Sequence, residues 1–418
     1  MKFQDYNFIP AIKKNLQEQG FRRPTDIQFK SIPPILRGED VLAIAQTGTG
    51  KTAAFAIPII QILATRKVIG EEYGIRCLVM VPTHELAMQI AGVFEQLMKG
   101  TGMKVMGLFG GVEQDPQIKK LQKGIQVLVA TPGRMFDLVS QGYLSLKRVE
   151  MLVLDEADHM LELGFIEDMR QLIRRLPTRR QTLFFSATIN EAIKKLAYEL
   201  VRNAVRIQIS PKDPVAKNID HAVAFVDMDD KRFFLERFIR QNPDSKILVF
   251  VRTRVRAERV ARALERVNIG SQTIHGDKLQ DERSQVMKNF REGKNKILIA
   301  TDVSARGIDI PSVEFVINYD LPEQTENYVH RVGRTGRGTQ RGIAVSFCSS
   351  QEEELLAEIE TYLDKPIVKM EISPEEYEAT LDFSDAALYD WKTLIKENEQ
   401  TMENVKKKPF KKKSGGKK

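Results

Sequence analysis

The chain has 418 residues, enough for two or three domains that each bury a core of their own. Apolar residues make up 42% and charged residues 29%, ordinary globular composition, and no apolar run approaches the roughly 20 residues of a membrane-spanning helix. The net charge of +8 is uneven: residues 1–366 are mildly basic, 367–405 hold ten acids against three lysines, and 406–418 hold eight lysines and no acid, so collagen-like, disulfide-framework and wholly disordered chains are excluded.

Met-Lys-Phe-Gln-Asp at the start lacks the basic-then-apolar pattern of a leader, and a cytoplasmic protein is expected. VLAIAQTGTGKT (41–52) reads as a strand, a glycine-rich turn and a helix start. Ala45-x4-Gly50-Lys51-Thr52 has the spacing of a phosphate loop, with Ala in place of the first Gly. Across the turn Ala45, Gln46, Thr47, Gly48, Thr49 and Gly50, the two glycines let backbone N–H groups close on phosphate oxygens at the positive end of the helix. Lys51 supplies a point charge for terminal phosphates and Thr52 a hydroxyl for Mg²⁺. LVMVPT (78–83) reads as a buried strand before the helical run 85–98, and VLVAT (127–131) as another. LVLDEAD (152–158) is a strand ending in Asp155. An acid placed there, opposite the phosphate loop, holds Mg²⁺, and Glu156 can polarise an attacking water.

The same strand patterns return later. LVMVPT matches LVFVRT (248–253), which precedes a helical run over 255–267, and VLVAT matches ILIAT (297–301), both at an offset of 170. VEMLVLD (149–155) resembles VEFVINY (313–319) at an offset of 164. A constant shift across separate strands indicates a tandem repeat of two doubly wound α/β domains. Domains over 1–207 and 219–366 are expected, with a linker at 208–218 where two prolines interrupt the pattern. Ligands of open parallel sheets sit beyond the carboxyl ends of the strands, so a cleft shared by both domains is the natural site. Cys77 and Cys348, in apolar segments without metal spacing, read as reduced core residues.

Residues 367–405 form an acidic, partly helical extension: Ser373-Pro374-Glu375-Glu376 is a helix start, and Ser384-Asp385 opens a second helix carrying Leu388, Trp391 and Ile395. That stripe packs on the parent domain or on a partner. The lysine-rich tail 406–418 reads as disordered, serving as an unspecific phosphate-polymer anchor or as a solubility tail.

DEAD at 155–158, AQTGTGKT at 45–52, SAT at 186–188 and HRVGRTGR at 330–337 resemble the DEAD-box family of ATP-dependent RNA helicases, in superfamily 2, and the pattern is similar to bacterial members with a compact core and a short basic C-terminus. The resemblance covers residues 1 to about 366. It implies two tandem RecA-like domains, ATP and Mg²⁺ as ligands, and RNA as a largely sequence-independent partner. It further implies a monomer with no membrane contact, with ribonucleoprotein partners open. GFRRPTDIQ (20–28) resembles the family's adenine-reading segment: Gln28 on the adenine edge, Phe21 on the ring, Thr25 in support, and Phe3 as the isolated upstream aromatic. In the family SAT bonds the last DEAD acid, so Asp158, Ser186 and Thr188 would couple hydrolysis to unwinding. Arg334 and Arg337 match its arginine fingers, His330 and Arg331 support them, Asp309 would meet the ribose, and Arg306 and Gly307 shape that loop.

The RNA track that the resemblance implies comprises Pro82, Thr83, Gly110, Gly111, Thr131, Pro132, Gly133 and Arg134 in the first domain. In the second it comprises Arg252, Thr253, Gln280, Arg283 and Thr301. The repeat supports it, since Thr83 aligns with Thr253 and Thr131 with Thr301; hydroxyls and backbone amides suit phosphate and 2′-OH contacts rather than base edges. Residues 82–87 read PTHELA where the family reads P-T-R-E-L-A, so His84 replaces an arginine: a weaker grip, a mild pH sensitivity or a tolerated change. His159 also stands where arginine is common. The expected activity is RNA-stimulated ATP hydrolysis coupled to domain closure and local unwinding. An ATP-gated RNA clamp with slow hydrolysis and a DNA helicase of the same superfamily are the rivals.

Overall fold

The structure is a computed structural model that describes residues 1–46, 48–66, 74–189, 191–209, 215, 218–302, 313–336 and 341–383. In the first half, seven strands form one parallel sheet: β1 (Val41–Ala45), β2 (Cys77–Met80), β3 (Val105–Leu108), β4 (Val127–Ala130), β5 (Met151–Leu154), β6 (Gln181–Ser186) and β7 (Val205–Ile209), in the order β3-β4-β2-β5-β6-β1-β7. The second half repeats it with β8 (Ile219–Phe225), β9 (Ile247–Phe250), β10 (Gln272–Ile274), β11 (Ile297–Ala300), β12 (Phe315–Asn318), β13 (Gly342–Cys348) and β14 (Val368–Met370), in the order β10-β11-β9-β12-β13-β8-β14. Matching β1 to β8, β2 to β9 and so on turns one order into the other. The duplication read from the apolar runs is therefore a duplication of topology.

The composition of the strands follows from their place. β2, β4 and β5 are buried along their whole length because helices cover both faces, which is why they read as unbroken apolar runs rather than alternating ones. One face of the first sheet packs under Ile57, Ile60 and Phe94, and the other under Leu138, Met160 and Leu196. Each such side chain removed from water contributes about 1.5–3 kcal/mol. The helix Lys51–Thr65 is apolar almost all round, since it lies between the sheet and the helices Asp26–Arg37 and His84–Leu97. Cys77 and Cys348 are buried free thiols.

Two boundaries differ from the sequence expectation. β7 runs to Ile209, two residues into the stretch read as a linker, because Val205, Ile207 and Ile209 pack on the first core. β14 and the helix Pro374–Asp382 lie in the stretch read as an extension, yet join the second sheet and its helices. Ile372 and Tyr377 pack on that core, and the Tyr377 hydroxyl donates to Asp230 Oδ2 (2.9 Å) and accepts from the Asp227 N–H (3.0 Å). The abundant acids there masked this apolar minority. Ser373 caps the helix as expected, accepting from the Glu376 N–H at 3.2 Å. The second expected helix, from Ser384, and the lysine tail lie outside the described residues. No helix among the described residues is long and apolar enough to cross a membrane.

Candidate nucleotide site and nucleic-acid interface

Because every strand of a sheet is parallel, the turns after β1, β2, β4 and β5 all leave from one edge, which gathers Lys51, Thr83, Thr131 and Asp155. After β1 the chain turns through Gly48 (φ +81°) and Gly50 (φ +91°), left-handed positions that a Cβ-bearing residue occupies only with strain. Gly50 is also crowded: a Cβ there would stand 2.5 Å from Gln28 Nε2. Gln28 donates from Nε2 to the Gly50 carbonyl (3.1 Å) and accepts at Oε1 from the Thr25 N–H (3.0 Å), while the Thr25 hydroxyl donates to the Thr49 carbonyl (2.8 Å). The N-terminus of the helix Asp26–Arg37 is thus stitched to the phosphate turn. Gln28 keeps one N–H and spare lone pairs for a base edge. Phe21 is half-buried, and buried Phe3 meets it edge-on at 5.9 Å and 76°. Gly50→Ala should weaken nucleotide binding about 10-fold, in line with ~1–3 kcal/mol of left-handed strain. Titration with a fluorescent ATP analogue checks this, and unchanged affinity would remove the turn from the binding site.

Lys51, the first residue of the helix Lys51–Thr65, is only 6% exposed, and its Nζ has no hydrogen-bond partner among the described residues. A buried ammonium in that condition calls for an anion. The glycine cradle, this cation and the helix N-terminus together fit a triphosphate. Thr52 lies in the same first turn, half-buried. Ala45 is buried at the end of β1, and Gln46 is half-buried.

Asp155 and Glu156 follow β5. Glu156 has φ +51°, a strained conformation for a residue with a Cβ. Burial, with help from Glu156 and Asp158, pushes the Asp155 carboxyl up to about 6 despite the opposing charge of Lys51. Glu156 goes the other way: burial works to raise it, but His159, Lys51 and Arg334 outweigh that and hold it at about 2. A carboxyl hydroxyl pair of this kind, Asp155 with Thr52, suits a hard divalent cation. Asp158 Oδ2 accepts from the Ala187 N–H (3.0 Å), the Thr188 N–H (2.9 Å) and the Thr188 hydroxyl (3.1 Å). The Ser186 hydroxyl is buried and outside that set.

The second module completes the site. Arg334 is 4% exposed, its Nε donates to the His330 carbonyl (3.2 Å), and the Glu156 charge opposes the lowering that burial imposes on its guanidinium. Arg331 is committed elsewhere, clamping Asp302 with two bonds of 2.5 and 2.7 Å. Thr47, Arg306, Gly307, Asp309 and Arg337 lie outside the described residues.

Thr83 and Thr253 have the same backbone (φ −127°, ψ 155°) and the same bond, each hydroxyl accepting from the N–H three residues on. Thr131 caps the helix Pro132–Ser140 by its backbone alone, with Pro132 and Gly133 in the first turn; Thr301 is half-buried after β11. The cations of the expected track are largely engaged within the protein. Arg134 donates to the Val112 carbonyl (2.7 Å), bracing the Gly110–Gly111 turn, and Arg252 bonds Glu352 Oε1 (3.1 Å) and the Leu321 carbonyl (3.3 Å). Arg283 pairs with Glu85 of the first module at 2.6 Å. Gln280 meets Gly111 across the same boundary, where a Cβ on Gly111 would lie 3.7 Å from Gln280 Cβ. Pro82 is buried just after β2.

Three features escaped the sequence reading. His84 stacks on Phe109 with ring centroids 3.4 Å apart and bonds Gln280; burial depresses its basicity, so it is a neutral bridge between the modules. Residues 84 and 109 belong to different turns, so no local pattern links them. Lys231 and Glu352 form a fully buried ion pair behind Arg252. His159 is buried against Glu156.

Residues 25–196 match the DEAD/DEAH box helicase family and residues 230–339 the helicase conserved C-terminal domain. Relatives include the ATP-dependent RNA helicase RhlB of Shewanella woodyi, 40% identical over 370 residues that cover 88% of this chain and 84% of RhlB. The ATP-dependent RNA helicase DeaD of Buchnera aphidicola is 38% identical over 90% of this chain, which spans 62% of DeaD. Among solved structures, Dbp5 of S. cerevisiae bound to RNA and ADP BeF3 superposes with a TM-score of 0.80 at 29% identity, covering 91% of this chain and 98% of Dbp5. Its likeness over both sheets identifies the two modules as tandem RecA-like domains. The DEAD sequence, the phosphate turn and relatives that span both halves lead to one assignment: the chain belongs to the DEAD-box ATP-dependent RNA helicase family.

Proposed function

We propose that the chain is an RNA-stimulated ATPase whose two modules close on ATP and an RNA strand, and so separate short RNA duplexes locally. The observation that carries this is Arg334, a buried guanidinium of the second module facing Glu156 of the first, so that hydrolysis depends on both modules at once. Lys51, Gly48 and Gly50 hold the phosphates, with Gln46, Thr47 and Thr49 completing the turn. Gln28 meets the adenine edge, with Phe21, Phe3 and Thr25 behind it, and Asp309 meets the ribose. Glu156 orients the attacking water, while Arg334, with Arg337 beside it, stabilises charge on the transferring phosphoryl group. Thr52 and Asp155 would hold Mg²⁺, which supplies charge neutralisation on the phosphates when bound.

Asp158, held by Ala187 and Thr188, ties the water-orienting turn to the end of β6, which with Ser186 and His330 is the route of coupling. Backbone amides and threonine hydroxyls at the strand ends take the RNA backbone, with little base reading. RNA is the partner, the working unit is a monomer, and the compartment is the cytoplasm. Strand displacement with ATP, set beside a non-hydrolysable analogue, tests the reading. Multiple duplexes released per protein with ATP support it. One duplex per binding event, with ATP or the analogue alike, leaves the ATP-gated clamp.

Closure has its own check in the Glu85–Arg283 pair, both side chains less than 20% exposed. Glu85→Ala, Arg283→Ala and the double variant should show a coupling of about 1 kcal/mol in RNA affinity with an ATP analogue present, and none without nucleotide. Equal coupling in both conditions would place the pair in the resting protein as well.

A further inference from the structure

The strands of the first sheet begin at a rim opposite the edge that gathers Lys51, Thr83, Thr131 and Asp155. At that rim, the ends of the helices His84–Leu97 and Asp115–Gln122 and the starts of β3 and β4 enclose a pocket of about 560 Å³. That is the size of a ligand-holding cleft. Met98, Met103, Val105, Met106 and Ile125 give it an apolar floor. Lys99, Lys104, Lys120 and Lys123 stand around it, all exposed, against a single acid, Glu95. Lys104 Nζ donates to the Lys123 carbonyl (3.3 Å), and none of the four lysines pairs with a carboxylate among the described residues.

Part of this charge serves the fold, since Lys119 and Lys120 lie in the last turn of the helix Asp115–Gln122 and offset its carbonyl end. That role does not account for the apolar floor between the lysines. β3 is the last strand of its sheet, so its outer side has no strand beside it. The Lys104 and Leu108 carbonyls bond towards β4. By the alternation of a strand, Val105 and Gly107 therefore turn their N–H and C=O groups to the open side. Pocket, cations and free backbone lie together, and they select the occupant. Ammonium groups without acids call for an anionic partner. No aromatic ring among the described residues lines the pocket, so nucleic-acid bases have nothing to stack on. Methionines, unbranched and polarisable, adapt to apolar side chains of varied shape. An open strand side takes an extended peptide.

We propose that this pocket docks an extended acidic segment of a partner protein. Its backbone pairs along β3 at Val105 and Gly107, one apolar side chain sits on Met98, Met103 and Met106, and its carboxylates meet the four lysines. The site lies at the rim away from the phosphate turn and the threonines of the strand ends. A docked partner therefore leaves the cleft between the modules free, and the chain is tethered to it while working. The proposal stands independently of the ATPase reading.

The test uses the full chain, isotope-labelled at its methionine methyl groups, and a fluorescent peptide of Asp and Glu residues around a central Leu. Anisotropy should show binding that weakens as salt rises. Lys120→Glu combined with Lys123→Glu should lower the affinity about 10-fold or more, since like charges then face each other. RNA-stimulated ATP turnover should not change in that variant. Replacing the central Leu of the peptide by Ser should cost about 10-fold with the protein unaltered, the loss of one buried apolar side chain. Peptide-induced shifts in the methyl spectrum should be confined to Met98, Met103 and Met106. Equal affinity for the two peptides, or shifts spread over the other methionines, reduces the effect to unspecific charge attraction and overturns the proposal. Failure of the Leu peptide to bind at low salt overturns it as well. So does a lysine variant that loses affinity for single-stranded RNA and not for the peptide, which makes the pocket a nucleic-acid surface. Melting verifies the variant, and the change made in the peptide decides the matter if that variant does not fold.

Discussion

An Arg334→Ala protein should hydrolyse ATP roughly 10³-fold more slowly at saturating RNA, the lower end of the range for an arginine that stabilises phosphoryl-transfer charge. The first module's phosphate turn is untouched by the change, so the effect should fall on kcat, with KM for ATP moving little. Arg334→Lys should not rescue it, because a point-charge ammonium lacks the planar fork and the reach of the guanidinium. The side chain is oriented by its bond to the His330 carbonyl and lies within the field of Glu156. The measurement is phosphate release with and without RNA. A loss below about 10-fold in kcat would mean that the second module does not take part in the chemistry.

The second large effect concerns stability. Lys231 is fully buried, and its Nζ donates to the Tyr319 carbonyl (2.9 Å), the Phe347 carbonyl (3.1 Å) and Glu352. Glu352 also accepts from the Leu321 and Ser349 N–H groups, at 3.1 Å each, and from Arg252. Burial lowers the basicity of Lys231, and the Glu352 charge resists that shift. Removing one member leaves the other charged, dry and unpaired, a loss of about 3–5 kcal/mol. Lys231→Ala should therefore destabilise the second module, seen as faster hydrogen exchange in the β12 and β13 amides. Lys231→Met combined with Glu352→Gln should recover part of that loss, since both charges then go. If Lys231→Ala leaves exchange unchanged, the pair carries no net stability.

Much of this architecture was legible because buried parallel strands announce themselves as apolar runs, and the offset of 170 links β2 to β9 and β4 to β11 in the sequence itself. The phosphate turn was legible for a different reason. Its glycines answer local backbone demands, and Gly50 indeed combines a positive φ with the close approach of Gln28. What stayed hidden depends on separation in the chain. The His84–Phe109 stack, the Glu85–Arg283 bridge and the Lys231–Glu352 pair join residues 25 to 198 positions apart, and no periodicity records them. β14 was hidden by composition, since a three-residue edge strand among acids has no apolar run to show. His159 was visible, yet its burial against Glu156 was not.

Lys51 and Lys231 hold the same post in the two copies, each the first residue of the helix that follows the first strand. After β1 that strand opens into a glycine turn. After β8 the stretch is Val226-Asp227-Met228-Asp229-Asp230, without glycine and rich in acids that would repel a triphosphate. In one copy the ammonium waits for an external anion, and in the other Glu352 is an anion built into the polypeptide. The later copy is thus neutralised from within, whereas its twin keeps a buried ammonium without a hydrogen-bond partner among the described residues. On heating, the ligand-free molecule should melt first from its N-terminal half, and added nucleotide should shift that transition alone.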